Sequence, residues 1–491
     1  MQRILFLIYI FISLSGLAQG FSYWGNQYGV RASFLGGAAV GSVLDNTSIY
    51  YNPASLGFVD GGNLSVSANT FSLRFVRVED GLGNNLDLNT TGFTILPQLI
   101  SGMIDLKKTP KLKLGYILLA KESFNSDYTL SYNGQDNFVD SVSGNENFFT
   151  TYQSSHKYNE IWAGAAVAYN VNPIFSVGCS FFISFIDERV INNLSFRVIP
   201  SGSQTDYISL RSNYDFSYWN FKGIFKPSLA ISKPRFRWGI SGTIPSFNIY
   251  GEAKANREVE VLNFPQFQGV DFLFTDQQKK IKAKTRFSGS ISTGMGLKIG
   301  KGSWLHLSGE YFFPQEYYLL FNPDNHVVAF PQGISEEQID TIFGLQNFLA
   351  YGERRKQVVN AGIGWEQRIN DRVELMFGFR TDFNFSFPED RHVELEHIKK
   401  VGAIWNNYYG SAGVSFWDKK GKHYSVGVEL GFTPSGTTVQ YIDLSNPNIN
   451  QFYSAERREG KLQDYNVKLI FGIELNWKKK CSDCPAEDVN E

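Results

Sequence analysis

Residues 29–56 decide the fold and read GVRASFLGGAAVGSVLDNTSIYYNPASL. Small residues dominate the first half of this stretch, so it can pack tightly in a confined space. Gly36 and Gly37 allow backbone angles that other residues resist, and Asn52-Pro53 is a turn signal. Two interpretations are open from these residues alone: a glycine-rich surface loop, or a plug folded inside something hollow.

The N-terminus has the layout of a secretory signal peptide. Arg3 gives it a positive charge, residues 4–12 form an apolar run, and small residues follow up to Gly20. Cleavage after Ala18 and cleavage after Gly20 fit equally well, and a retained anchor is the alternative. We therefore predict a signal peptide over residues 1–20 and a mature chain that leaves the cytoplasm.

Composition limits the class of protein. Lys and Arg number 46 against 47 Asp and Glu, so no basic excess suggests a nucleic-acid partner. No run of 18 apolar residues follows the N-terminus, which argues against a helical membrane span. Yet aromatic residues make up 15 %, with 42 Phe and 25 Tyr. A transmembrane β-barrel uses such residues in its lipid-facing band and interfacial girdles.

Apolar and polar residues alternate with period two in long segments from residue 62 onward, which predicts strands. These segments are about twice the usual strand length of about 5–6 residues, which suits tilted strands crossing a bilayer. We predict fourteen strands, near 62–77, 91–105, 111–124, 157–171, 173–190, 207–232, 235–248, 281–300, 303–320, 355–370, 371–386, 403–418, 421–434 and 464–477.

The connections between these strands alternate in length. Six are short and rich in Gly, Pro, Asn, Asp and Lys, whereas three of the others, near 125–156, 249–280 and 321–354, exceed 25 residues. Short turns at one end and long loops at the other are typical of outer-membrane barrels. We predict an all-β protein: a 14-stranded antiparallel transmembrane β-barrel over residues 62–477, in the bacterial outer membrane. Residues 21–61 precede it, and residues 478–491 form a polar periplasmic tail.

The segment ending in Asn52, Pro53 and Ala54, set between a signal peptide and fourteen strands, resembles the FadL-type outer-membrane transporters of long-chain fatty acids and aromatic hydrocarbons. The matching words are Gly29-Val-Arg-Ala32, Gly36-Gly-Ala38, residues 45–51 and Asn52-Pro-Ala-Ser-Leu56. The resemblance implies that residues 21–61 are a hatch inside the barrel lumen, and that this hatch gates passage of a hydrophobic small molecule. It also implies passage sideways through the wall at the third strand.

Several residues are candidates for contact with the ligand. The mature N-terminus carries Phe21, Tyr23 and Trp24, which the resemblance places beside ligand and which could instead anchor the chain at the membrane interface. Strand three is apolar on both faces near its middle, with Tyr116 on one and Ile117 and Leu119 on the other. Pro97 removes a hydrogen-bond donor from strand two, so Pro97 and Tyr116 are candidates for a lateral exit. The alternative is a bulge or a surface that packs against the hatch.

One outer loop contains a helix signal. Ser335-Glu-Glu-Gln338 is a capping-box pattern, and apolar residues including Phe343 and Phe348 follow at helical spacing. Phe343 and Phe348 are therefore candidates for an apolar landing site, with simple packing over the barrel mouth as the alternative.

Nothing in the sequence predicts an enzyme, a cofactor or a metal site. The nucleophile-elbow and zinc-protease motifs are absent, and the six His are scattered. Cys481 and Cys484, in a lone C-x-x-C of the polar tail, favour a local disulfide. Outer-membrane lipid is the expected surrounding partner. The rival interpretation is a FadL-like barrel that serves protein-secretion machinery, as in type IX secretion; a lipase and a polar porin are disfavoured by the missing catalytic set and by the hatch.

Overall fold

Antiparallel strands dominate the computed structural model. It describes residues 22–59, 63–81, 87–106, 108–136, 144–199, 207–263, 271–324, 326–330, 348–387, 404–418, 422–434, 436–439 and 459–476. The predicted signal peptide, the tail with Cys481 and Cys484, and the predicted helix start at Ser335 lie outside the described residues. None of the helices in the described ranges is long and apolar enough to cross a membrane.

The strands of the first part of the chain are β1 (Asn63–Glu79), β2 (Leu88–Asp105), β3 (Leu112–Asp136), β4 (Glu146–Asn170), β5 (Phe175–Ile199), β6 (Ile208–Lys233), β7 (Phe236–Thr243), β8 (Phe247–Leu262), β9 (Phe272–Lys282), β10 (Ser290–Gly300) and β11 (Ser303–Phe312). The remaining strands are β12 (Gln315–Phe321), β13 (Val328–Phe330), β14 (Tyr351–Arg355), β15 (Val358–Asn370), β16 (Val373–Asp382), β17 (Ile404–Trp405), β18 (Asn407–Trp417), β19 (His423–Phe432), β20 (Gly436–Val439) and β21 (Glu459–Asn476).

Fourteen of the described strands form a closed antiparallel ring. The pairing order is β1-β2-β3-β4-β5-β6-β7-β10-β11-β15-β16-β18-β19-β21, and β21 pairs back with β1. The six predicted short connections all join neighbours in this ring. The predicted all-β fold and its strand number are therefore confirmed.

The outward face of the ring is apolar and ends in aromatic residues. Phe185 on β5 and Phe221 on β6 are cross-strand partners whose ring centroids lie 4.9 Å apart. Trp219 and Tyr250 lie beside them, with ring centroids 5.3 Å apart. We call these four residues the aromatic girdle, because the next outward residue on β5, Asp187, is charged. Such a girdle marks the edge of the lipid-facing band of a membrane barrel.

Beyond the girdle, the long strands continue as an extension of the barrel. β3, β4 and β5 have 25 residues each and β6 has 26. At about 3.3 Å per residue such a strand is about 80 Å long, whereas the hydrocarbon core of a bilayer is about 30 Å thick. The expectation of long loops at 125–156 and 249–280 is corrected accordingly: most described residues there are strand. The alternation persists in these ranges, but the outward residues are polar instead of apolar.

The inner face of the extension carries its own hydrophobic core. Phe216, Phe274, Phe321 and Tyr351 are at its centre and are fully buried. Phe216 packs against Tyr351 with ring centroids 4.6 Å apart. Burial raises the pKa of Tyr351, so this ring stays neutral within the core. The extension is therefore a packed structure.

Residues 22–59, which we call the inner segment, are buried against the inward face of the ring. They form α1 (Val30–Phe34), α2 (Ser48–Tyr51) and a 3-10 turn over Pro53–Phe58. Their apolar residues share one buried cluster with inward residues of β2, β3, β4, β5, β6 and β16. Leu35, Ile49 and Leu56 are completely inaccessible to solvent. The surface-loop interpretation of residues 29–56 is therefore wrong.

Candidate ligand-binding site in the barrel lumen

Glycines on both sides bring the inner segment into backbone contact with the barrel wall. Gly36 and Gly37 adopt φ of +61° and +73°, which other residues rarely adopt. A Cβ on Gly36 would lie 2.6 Å from the backbone of Phe379, and one on Gly362 would lie 2.2 Å from the carbonyl oxygen of Gly36. The wall here has no room for side chains, so the small residues recognised in the sequence are a packing requirement.

The motif Asn52-Pro53-Ala54 anchors the second half of the inner segment. Asn52 Nδ2 donates to the carbonyls of Val40 and Leu229 at 2.8 and 3.2 Å, and Ala54 N donates to Ser228 Oγ at 2.8 Å. Pro53 opens the 3-10 turn. These contacts fix the end of α2, which ends one residue earlier at Tyr51.

Charged side chains hold the beginning of the inner segment. Asp382 accepts hydrogen bonds from Ser22 Oγ and Trp24 N at 2.6 and 2.8 Å. Arg380 and Lys468 both pair with Glu429 and also donate to backbone carbonyls of Trp24 and Gly25. Further along, Arg31 pairs with Glu366 of β15. Charges of both signs on the lumen face therefore hold this segment through ion pairs and hydrogen bonds.

Tyr50 of α2 lies at the centre of an aromatic box in the lumen. Its ring centroid is 4.7 Å from that of Tyr28, 5.9 Å from Trp162 and 6.4 Å from Phe182. Phe287 closes the box, 5.2 Å from Trp162. The inner segment and strands β4 and β5 therefore build this apolar chamber together.

Two buried lysines point into the aromatic box. Lys121 Nζ lies 3.1 Å from Tyr50 Oη and 3.4 Å from the carbonyl oxygen of Tyr23. Lys226 Nζ lies 4.4 Å from the centroid of the Tyr50 ring. Lys121 and Lys226 are only 8 % and 5 % exposed, respectively. In the described part of the chain neither ammonium forms an ion pair with a carboxylate.

A third lysine of the same chamber has a carboxylate partner. Lys222 Nζ lies 3.1 Å from Glu160 Oε1. Trp162 Nε1 and Ser184 Oγ donate to the same carboxylate at 2.8 and 2.7 Å. Glu160 is therefore paired with Lys222. The direct contacts of Lys121 are with neutral oxygens and ring faces, and that of Lys226 is with the Tyr50 ring.

Lys121 also marks the place where the barrel wall separates. β2 and β3 are paired over seven residues each. The pairing begins where Asp105 is opposite Lys113 and ends where Leu99 is opposite Leu119. Directly above, each strand carries one extra residue: the β1–β2 register shifts around Gln98, and the β3–β4 register shifts at Lys121. Such bulges bend strands and end pairing. Among the described residues, β2 and β3 stay unpaired with each other beyond this point.

The predicted site residues fall in three places. Tyr23 and Trp24 are buried in the lumen, and Tyr23 stacks on Phe312 at 3.9 Å, so neither serves as an interfacial anchor. Pro97, Tyr116, Ile117 and Leu119 lie at the β2–β3 separation. There Ile117 and Leu119 face the inner segment, while Tyr116 is 45 % exposed on the outward face.

The third place is the extension. Phe348 is buried in its core under the Arg257 guanidinium, 4.5 Å from its ring centroid, and not in an open groove. Phe21 and Phe343 lie outside the described residues.

Sequence reasoning missed Lys121, Lys226 and Tyr50. Each lysine interrupts an apolar strand at an inward position, which is a visible signal. The sequence did not predict the bulge that turns Lys121 inward. It also did not predict how α2 folds to bring Tyr50 between Lys121 and Lys226.

On the short-turn side of the inner segment lies a cavity of about 380 Å³. Its lining combines apolar residues with four charged ones, Arg31, Asp45, Glu374 and Glu474. An apolar molecule gains less beside these four charged side chains than among the aromatic rings of the box. The β2–β3 separation and this cavity thus offer different surroundings to a ligand.

No protein-family model matches the sequence, and no curated protein matches it. Solved structures do match. A FadL homologue from Pseudomonas aeruginosa has a TM-score of 0.59 at 10 % identity, covering 91 % of this chain and 98 % of its own. The toluene transporter TodX from Pseudomonas putida has a TM-score of 0.56 at 12 % identity, with coverage of 92 % and 99 %. The chain has the FadL-type fold.

The Ralstonia pickettii toluene transporter TbuX also matches, with a TM-score of 0.51 at 12 % identity and coverage of 92 % and 98 %. The FadL-type fold therefore extends over nearly the whole of this chain and of each match.

Proposed function

We propose that this protein transports hydrophobic compounds with an acidic head group, such as long-chain fatty acids, across the bacterial outer membrane. The observation that carries the proposal is the pair Lys121 and Lys226 beside Tyr50. The FadL-type fold supports transport of hydrophobic compounds in general, because the similar structures are described as a FadL homologue and as toluene transporters.

The lysine pair favours an anionic head group over a neutral hydrocarbon. A buried charge without a partner is costly, and charges inside proteins are normally paired. Among the described residues Lys121 and Lys226 form no ion pair with a carboxylate, although Lys222 nearby does. A fatty-acid carboxylate would supply the missing partner to both lysines. Toluene would use only the ring faces of the box.

The surrounding rings suit the alkyl tail. Tyr28, Tyr50, Trp162 and Phe182 offer apolar faces on several sides. Burial of each CH₂ group stabilises a bound chain by about 0.8 kcal/mol. This gain draws the ligand from water, while the carboxylate fixes its orientation.

The separation of β2 and β3 is the exit in our proposal. Lys121 is both the head-group ligand and the bulge residue at the base of the separation. A ligand released from Lys121 would therefore leave directly into the membrane between Pro97 and Tyr116. The charged cavity on the short-turn side is a poorer route for an apolar tail.

The inner segment is the hatch in our proposal, with residues 21–61 as its span. It supplies Tyr50 to the box and the Tyr23 carbonyl to Lys121. Ligand binding would compete for both contacts and loosen the segment at that point. Orientation follows the rule that short turns face the periplasm, with residues 1–20 as the signal peptide for export.

The test is uptake by intact cells that lack or produce the protein, with radiolabelled oleate and radiolabelled toluene as substrates. A Lys121→Met/Lys226→Met variant keeps the apolar volume of both side chains and removes both charges. Lys298→Met, which removes an exposed lysine of β10, is the control. Surface levels are measured for every variant.

We expect the protein to raise oleate uptake. The double variant should lower oleate uptake at least tenfold, because charge-assisted hydrogen bonds contribute about 1.5–3 kcal/mol each. Toluene uptake should change little. Equal loss of both substrates would refute the head-group assignment, and no effect of the protein on either would refute transport.

A further inference from the structure

Three basic residues form a row on the outward face, just beyond the aromatic girdle. Lys157 on β4 is directly opposite Arg189 on β5, Arg189 is opposite Ser217 on β6, and Ser217 is opposite Lys254 on β8. All three basic side chains are exposed. The sheet therefore presents Lys157, Arg189 and Lys254 as one line, which we call the basic row.

The basic row continues onto β9. The β8–β9 register shifts between Ala253 and Ala255, so that Lys279 and Lys280 lie opposite Lys254. Lys280 has φ of +58°, which is unusual for a residue with a side chain. Both lysines are exposed. The irregularity thus adds two cations at the end of the row.

Like charges directly opposite each other destabilise a strand pair, because their Cβ atoms are only about 4.5–5.5 Å apart. Lys157 and Arg189 are such a pair. Arg189 has one partner, Asp215, at 3.3 Å. In the described residues Lys157 and Lys254 form no ion pair. An anion placed between these side chains would turn the repulsion into attraction.

Carboxylates near the basic row do not cancel it. Asp187 and Glu252 lie on its girdle side, and Glu252 is opposite another lysine, Lys282. With Asp215 on β6 and Asp127 on β3, they set four carboxylates against six cations on this part of the sheet. The surface therefore keeps a net positive charge.

The position of the row indicates the class of anion. Arg189 and Lys254 are two residues beyond Asp187 and Glu252, the register partners of Trp219. That step is about 7 Å along the strand, and the head-group layer extends about 5–7 Å beyond the hydrocarbon core. The row therefore lies at the level of lipid head groups on the side where the extension leaves the membrane.

We propose that the basic row binds the phosphate groups of an anionic glycolipid in the outer leaflet. The proposal rests on the outer-membrane location given above and is independent of the transported compound. Lys157 and Arg189 form the centre of the contact, and Lys254, Lys279 and Lys280 extend it across the sheet. Bound phosphate offsets the repulsion between the paired cations and holds the extension at a fixed angle to the membrane.

The experiment measures binding of phosphorylated lipid A by the full-length protein in phosphatidylcholine nanodiscs. The comparison lipid is lipid A from which the phosphates have been removed, and inorganic phosphate alone is the competitor. Lys157→Gln/Arg189→Gln removes the central pair. Arg197→Gln/Arg211→Gln is the matched control, since both arginines are exposed on the same outward face nearer the tip of the extension.

We expect wild type and control to bind phosphorylated lipid A equally. Lys157→Gln/Arg189→Gln should bind it about thirtyfold more weakly, since each cation near a charged membrane contributes about fivefold. Equal binding by all three proteins, or equal binding of the dephosphorylated lipid, would overturn the proposal. Full competition by inorganic phosphate at equal concentration would identify a free-anion site and overturn the lipid assignment. Oleate uptake is measured in parallel, so that failure of transport is distinguished from failure of lipid binding.

Discussion

Asp382 provides the sharpest test of how the inner segment is held. Its carboxylate is fully buried and accepts hydrogen bonds from Ser22 Oγ at 2.6 Å and from Trp24 N at 2.8 Å. Asp382→Ala removes both contacts and leaves the buried amide of Trp24 without its acceptor. Residues 22–24 should then detach from the wall far more often.

The size of the effect follows from the two bonds. Hydrogen bonds to a charged group contribute about 1.5–3 kcal/mol each. The substitution also removes the cost of burying the carboxylate. The net loss of docking free energy is therefore below the sum for two such bonds, at about 2–3 kcal/mol. The detached population should therefore rise about 30-fold to 150-fold.

Thiol labelling in detergent solution measures this population. Cys179, Cys481 and Cys484 are replaced by Ser, and Ala32→Cys places a reporter at a position of α1 that is completely buried. The labelling rate at Ala32 is proportional to the detached fraction when reattachment is fast and when α1 leaves the wall together with residues 22–24. A second reporter, Tyr23→Cys, replaces a buried residue of the segment that Asp382 holds and measures detachment of residues 22–24 directly. Asp371→Ala, in the exposed turn between β15 and β16, is the control and should leave the rate unchanged. A rate within twofold of wild type in Asp382→Ala would refute this account of docking.

Three further predictions follow from other parts of the chain. Deletion of Gln98 removes the extra residue of β2 and should lower the uptake of both oleate and toluene, while binding of both persists. Gln98→Ala is the control, and unchanged uptake in the deletion variant would argue against the lateral exit. Gly36→Val should speed labelling of the Ala32→Cys reporter, because a positive φ costs an L-residue about 1–2 kcal/mol and the valine Cβ would lie 2.6 Å from the backbone of Phe379. Gly92→Val is the control and should leave the labelling rate unchanged, because no atom lies within 4 Å of its Cβ position. Phe216→Ala should destabilise the extension by about 3–5 kcal/mol, seen as protease cleavage there with the barrel still resistant to heat and detergent; no new cleavage would contradict a packed core.

The strand pattern and the small residues were readable because each reflects a local rule. Alternation over nine or more residues requires a strand with one buried or lipid-facing side, and the short turns carry their own turn residues. Gly36 and Gly37 indicated unusual backbone angles and close packing, because glycine adopts a positive φ readily and has no side chain. These rules act within a few residues, so one sequence was sufficient.

The ligand site depended on contacts between distant residues. Lys121, Lys226 and Tyr50 meet only after β3, β6 and α2 have taken their places, and the bulge at Lys121 depends on its pairing with β4. The extension was predicted as loops because strands were identified by an apolar, lipid-facing side, and the outward residues of the extension are polar. Its inward residues, such as Phe216, keep the same alternation.

The central claim is that Lys121 and Lys226 bind the carboxylate of a hydrophobic acid. Equilibrium binding of oleate and of oleyl alcohol to the purified protein tests it most directly, because the two ligands differ only in the head group. Wild type should prefer oleate by at least tenfold, and Lys121→Met/Lys226→Met should lose that preference while still binding the alcohol. An unchanged preference for oleate in the double variant would contradict the claim.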